Sequence, residues 1–175
     1  MNTRYILAAI VMTAMLAAAR PVAADQVIFL VRHAERAATA AGAAPSHGGM
    51  PADDPPLSPA GEQRADKLAS MLAASNIKFI YTSEFKRTRQ TAAPLAKKLS
   101  LTAVMAAAND PTTLVATLKG LQGNALVVGH SNTVPDLLKR LGVAETVTIG
   151  DNDYDNLFVV VRDSAGKATL VRLKY

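Results

Sequence analysis

The chain has 175 residues, ordinary single-domain size, and 19 Lys and Arg against 14 Asp and Glu give it a formal charge of +5. It contains no cysteine, which excludes a disulfide framework, a lipidated N-terminus and thiol catalysis. Aromatic residues make up only 5% and are not interleaved with runs of Lys and Arg, so nucleic acid is not an expected partner.

Residues 1–24 combine an early Arg4, an apolar run from Tyr5 to Ala19 and small residues at Val22 and Ala24. This pattern predicts a secretory signal peptide cut before Asp25, and hence an exported protein, periplasmic or secreted. An uncleaved membrane anchor is the alternative, but the run is shorter than the roughly 20 apolar residues needed to span a bilayer, and Arg20 ends it. No stable membrane insertion is expected after cleavage. Residues 25–175 would then form one domain, with stability coming from packing alone.

Residues 26–31 are an apolar, β-branched run without alternation, which predicts a strand buried on both faces. The following stretch, 37–56, is rich in Ala, Gly and Pro and reads as a surface loop. Ser58 before Pro59 predicts a helix cap and first turn, and Ala65, Leu68, Ala69 and Leu72 continue that helix to about Ser75. A second strand is expected at 77–83, then a helix over 84–99 that Pro94 should kink or interrupt by a turn. A weaker third strand is expected at 101–106. Asp110 and Pro111 open a third helix with Leu114, Leu118 and Leu121 on one stripe. A fourth strand at 125–130, a fourth helix at 132–142, a fifth strand at 145–149 and a hairpin over 156–175 complete the chain. Alternating strands and helices followed by a hairpin predict an α/β three-layer sandwich. Its sheet is mainly parallel, with helices on both faces and the antiparallel hairpin at the edge.

In this arrangement Arg32 and His33 follow the first strand, Ser83 and Arg87 the second, and His130 and Ser131 the fourth. Carboxyl ends of parallel strands share one edge, where ligands bind beside a topological switch point, so the three clusters can converge on one pocket. Two guanidiniums and two imidazoles suit a phosphoryl group. Arginine offers forked donors, one neutral imidazole can attack phosphorus, and a protonated one can stabilise the equatorial oxygens.

The stretch "LVRHAE" resembles the Arg-His-Gly-type signature of the histidine phosphatase superfamily, with Ala34 where many members have glycine. The resemblance extends through "LSPAGEQRADKLA", "YTSEFKRTRQTAAPLA" and "VVGHSNT". It implies that His33 is the nucleophile that forms a phosphohistidine, that Arg32, Arg87 and His130 hold the phosphoryl oxygens, and that the Ser131 backbone N–H adds a donor. It implies phosphomonoester hydrolysis without metal or organic cofactor, acting on a small-molecule or envelope phosphate ester. A phosphoglycerate mutase-like transfer and a non-catalytic phosphate-binding domain are the alternatives, and oligomeric state stays open.

The acid that protonates a leaving group is the departure from the family's pattern. Ser131 stands where one branch has an acid, and the segment after the second helix offers no glutamate and only Asp110, whose neighbour Pro111 marks it as a helix cap. Glu35 could line the pocket, or pair with Arg36 or a helix terminus. Glu84 is expected as a first-turn helix acid, Asp53 and Asp54 as loop residues able to close over substrate, and His47 as a bystander.

Overall fold

The computed structural model describes residues 25–38 and 54–175. The predicted signal peptide, His47 and Asp53 lie outside the described residues. Among the described residues there are six strands: β1 (Gln26–Arg32), β2 (Ile77–Thr82), β3 (Ala103–Met105), β4 (Asn124–Gly129), β5 (Asn156–Arg162) and β6 (Ala168–Lys174). Four helices accompany them, α1 (Pro59–Leu72), α2 (Lys86–Leu99), α3 (Pro111–Gly120) and α4 (Thr133–Arg140).

The strands form one sheet in the order β3-β2-β4-β1-β5-β6. β1 pairs parallel with β4, β4 with β2 and β2 with β3, while β5 runs antiparallel to β1 and β6 antiparallel to β5. Alternation along the buried strands divides the core between the two faces. Ile28, Leu30, Val127 and Phe158 pack on one side with Leu118 and Leu138 of α3 and α4. Phe29, Val31, Leu126 and Val159 pack on the other with Leu68 and Leu95 of α1 and α2. The expected mainly parallel sandwich with an antiparallel edge hairpin is therefore the fold observed.

Both predicted caps form. The Ser58 side chain accepts from the Gly61 N–H ahead of α1, and Asp110 accepts from the Thr113 N–H ahead of α3. Three local expectations need correction. The segment 145–149 is not a strand, because the ladder position beside β1 is filled by β5 and the next by β6. Its alternation has another cause: Val147 is buried and Ile149 packs on the α3–α4 core while Thr146 and Thr148 face solvent. α2 runs through Pro94 without a turn, with Ala92 and Leu95 on either side buried in the core, so of the two expectations the turn is the one corrected. β3 is shorter than expected, ending as an edge strand with Val104 and Met105 exposed.

Candidate active site

β1 delivers Arg32 and His33 to the carboxyl edge of the sheet, and the His33 N–H extends the ladder by bonding the Gly129 carbonyl at 2.9 Å. The next residue is fixed as well: the Ala34 N–H donates to Thr91 Oγ1 of α2, and the Ala34 methyl is buried against Leu57 and Ala65. His33 is itself buried, with Nδ1 2.8 Å from the Ala34 carbonyl oxygen. A carbonyl only accepts, so Nδ1 carries the proton and Nε2 keeps a free lone pair. Burial, reinforced by nearby His130, Arg87 and Arg32, pushes the His33 imidazole down to about 3, so it is neutral at physiological pH.

Arg32 is held by the segment that precedes β5. Its Nη1 donates to the carbonyls of Gly150 and Asp151, each at 2.8 Å, and its guanidinium lies 4.1 Å from the Tyr154 ring centre. Arg87, in the first turn of α2, lies over the Phe85 ring at 4.3 Å, and its Nη2 is 3.5 Å from His130 Nδ1. Burial lowers the Arg87 pKa from its ordinary value, with Asp54 opposing. In both arginines Nε is buried without a partner. Buried donors are rarely left so, and both arginines line the cleft, where an anion could accept from them.

His130 closes the constellation at the end of β4, its ring edge-on to His33 with centroids 5.3 Å apart. Burial and then Arg87 push its pKa down to about 4. Ser131 lines the same cleft just before α4. Gly129 permits the tight strand-to-helix passage here, since a Cβ on it would lie 2.8 Å from Thr133 Oγ1. The cleft, of about 920 Å³, is lined by Arg32, His33, Arg87, His130 and Ser131 together. Of the six residues at the strand ends, these five share one site, and Ser83 sits against His130 without lining the cleft.

The carboxylates are distributed differently. Asp110 is exposed, committed to capping α3, and that hydrogen bond lowers its pKa; it does not line the cleft. Glu35 does not pair with Arg36. Both its oxygens bind Arg64 of α1, as close as 2.7 Å, which holds its carboxyl below the ordinary range. Asp54 accepts from the Lys86 N–H at 2.7 Å and pairs with Arg87 at 3.4 Å, placing it against the site. Glu84 is not in the first turn of α2, which begins at Lys86 after Phe85. It lines the cleft instead, its Oε2 accepting from the Ala108 N–H at 3.0 Å.

Sequence reasoning missed Arg36, Asn109, Asn132, Asp151, Asn152 and Tyr154, all of which line the cleft. The polar run "GDNDYDN" was the available signal for the last three. Among the described residues, no cluster of His, Asp and Glu is placed to hold a metal ion.

The sequence profile of the histidine phosphatase superfamily (branch 1) matches residues 28–108. No curated protein matches the chain. Many solved structures share its fold, among them the following three. The protein histidine phosphatase SixA complexed with tungstate superposes with a TM-score of 0.66 at 22% identity, over 85% of this chain and 96% of that one. A mycobacterial glucosyl-3-phosphoglycerate phosphatase gives 0.61 at 13% identity, over 86% and 98%. A phosphoglycerate mutase from Plasmodium falciparum gives 0.57 at 19% identity, over 85% and 90%.

Proposed function

The chain belongs to the histidine phosphatase superfamily, and on that premise we propose that it hydrolyses phosphate monoesters through a phosphohistidine on His33. The observation that carries this reading is the His33 imidazole. The Ala34 carbonyl fixes its proton on Nδ1 and leaves Nε2 as a neutral nucleophile beside two arginines with unpartnered buried donors.

In this mechanism Nε2 of His33 attacks phosphorus while the bond to the ester oxygen breaks, and the departing oxygen takes a proton from solvent. Water then attacks the phosphohistidine, giving inorganic phosphate and restoring the imidazole. Arg32 and Arg87 hold charge that spreads over the equatorial oxygens, and His130 and the Ser131 N–H complete the cradle. The Nδ1–H bond to Ala34 persists throughout, so the ring keeps its tautomer and orientation.

The substrate class is a small-molecule or envelope phosphate ester. The polar cleft mouth, with Asn109, Asn132, Asn152 and Arg36, supports a polar leaving group. Neither Asp110 nor Glu35 is placed to protonate that group, so the reading favours esters with good leaving groups. Export through residues 1–24 would put the enzyme in the periplasm or outside the cell and bring it to such substrates.

The test is a panel of sugar phosphates, envelope glycolipid phosphates, phosphoprotein and nitrophenyl phosphate, assayed with wild type and His33→Ala side by side. Phosphate release by wild type that His33→Ala abolishes supports the reading. Hydrolysis of none of them, or equal hydrolysis by both proteins, would end it.

A further inference from the structure

Behind His130 lies a chain of buried hydroxyls whose direction can be worked out from both ends. The Thr88 hydroxyl is 2.8 Å from the Phe85 carbonyl oxygen and 3.1 Å from that of Ser83. The shortest of the Thr88 contacts is to the Phe85 carbonyl oxygen, which can only accept, and that contact takes the Thr88 proton. Thr88 Oγ1 is then free to accept from Ser83 Oγ, 3.0 Å away, and Arg87 on the other side of His130 decides that the Ser83 proton goes there. Ser83 Oγ then offers only lone pairs to His130 Nε2 at 2.9 Å, so Nε2 carries the imidazole proton.

From the other side, Arg87 Nη2 can only donate, and it faces His130 Nδ1 at 3.5 Å. Both ends impose the same tautomer, with Nε2–H toward Ser83 and an Nδ1 lone pair toward the phosphoryl pocket. Ser83, Thr88 and His130 are all buried, so solvent does not offer alternative partners behind the ring.

An ionised phosphoryl oxygen also only accepts. A bare Nδ1 lone pair cannot hold it. Resting on the phosphatase reading of this cleft, we propose that Ser83 and Thr88 are positioning residues that keep His130 Nε2 protonated, so that phosphate binding takes up one proton at His130 Nδ1. The proton comes from solvent or from the monoanionic form of the ester. Arg87 Nη2 transfers from Nδ1 to a phosphoryl oxygen, and the ring becomes an imidazolium hydrogen-bonded at both nitrogens. The proton returns to solvent when phosphate leaves.

The charges around His130 agree with this coupling. Arg87 and Arg32 disfavour its cation, Glu84 and Asp54 favour it, and the neutral His33 ring stands edge-on. With burial added, the free-protein balance lies on the neutral side. A phosphate carrying about −1.5 to −2 charges at neutral pH supplies the missing counter-charge.

The experiment is ¹⁵N NMR of histidine-labelled full-length protein, free and saturated with inorganic phosphate, joined to phosphate calorimetry at pH 7.5 in two buffers of different ionisation enthalpy. Free His130 should be the neutral Nε2–H tautomer, phosphate-bound His130 should be doubly protonated, and binding should take up close to one proton. Thr88→Val, which frees the Ser83 proton to compete for Nε2, should lose the single tautomer, and both Thr88→Val and Ser83→Ala should bind phosphate about tenfold or more weakly, the scale of one hydrogen bond to a charged group. Thr88→Ser should restore both. An Nδ1–H tautomer in the free protein, a neutral ring in the complex, or unchanged ¹⁵N shifts and affinity in both hydroxyl variants would overturn the proposal. If phosphate does not bind wild type, the phosphatase reading fails instead, and the free-protein tautomer still decides the direction of the chain.

Discussion

Replacing Gly61 by alanine tests how the nucleophile's loop is held, and the two main contributions have opposite signs. Alanine is a better helix former than glycine by about 0.8–1.0 kcal/mol, so propensity alone predicts a stabilised α1. Yet α1 begins directly against the Glu35 peptide, where the Ser58 N–H donates to the Glu35 carbonyl at 2.9 Å. A Cβ on Gly61 would lie 2.1 Å from that oxygen and 3.0 Å from its carbon. Ordinary contact begins near 3.4 Å, so the helix start and the loop must separate by about 1 Å against rigid backbone on both sides. Overpacking of this kind costs about 1–3 kcal/mol, and loss of the Ser58 bond about another 1 kcal/mol. The clash outweighs propensity, leaving a net loss of about 1–3 kcal/mol, or roughly 2–12 °C in Tm for a domain of this size. Because Glu35 is two residues from His33 and the Ala34 carbonyl orients its ring, kcat should fall by at least about tenfold, as small misplacements of reacting groups do. Thermal denaturation and steady-state kinetics on the same preparation measure both effects. A Tm equal to or above wild type with unchanged kcat would refute the close approach and the link between α1 and the nucleophile.

Stability should fall as pH drops below 6.5. His33 and His130 have folded pKa values near 3 and 4, below the ordinary 6.5, so between those limits the unfolded chain binds more protons than the native one. Urea unfolding across pH 4–7 should show this loss, and His130→Asn should flatten it; an unflattened profile would contradict the neutral buried ring. Asp110→Asn and Glu35→Gln should each leave the ratio of alkyl to nitrophenyl phosphate rates unchanged, since Asp110 caps α3 and Glu35 binds Arg64. Loss of a true general acid would slow the alkyl ester by about 10²–10⁴ in competitive assays, and such a loss in either variant would identify it as the donor. Arg32→Ala should lower kcat by about 10²–10³, the scale of one preorganised oxyanion donor, and near-normal turnover would remove it from the cradle.

What the sequence disclosed about the site follows from strand chemistry. The apolar runs of β1, β2 and β4 end abruptly in polar residues, and parallel pairing brings those ends together whatever the loops do. Contacts made through main chain were hidden. Arg32 is oriented by the carbonyls of Gly150 and Asp151, and no side-chain pattern reports a carbonyl's direction. The 145–149 segment showed strand-like alternation because Val147 and Ile149 pack inward, but alternation records burial and not ladder pairing. Glu84 was misplaced by a small error in where α2 begins, enough to move a carboxylate from a helix turn into the cleft. Pairing of Glu35 with Arg64 instead of Arg36 depends on how α1 docks, a tertiary fact that local spacing does not encode.

The most direct test traps the covalent intermediate. Protein mixed rapidly with a hydrolysable phosphate ester, quenched in alkali and digested should yield a phosphopeptide containing His33. The phosphoryl group should be stable to alkali, labile to acid, and absent from a folded His33→Ala protein. An acid-stable phosphoryl group on Ser83 or Ser131, or full turnover by His33→Ala with unchanged circular dichroism, would contradict a phosphohistidine on His33.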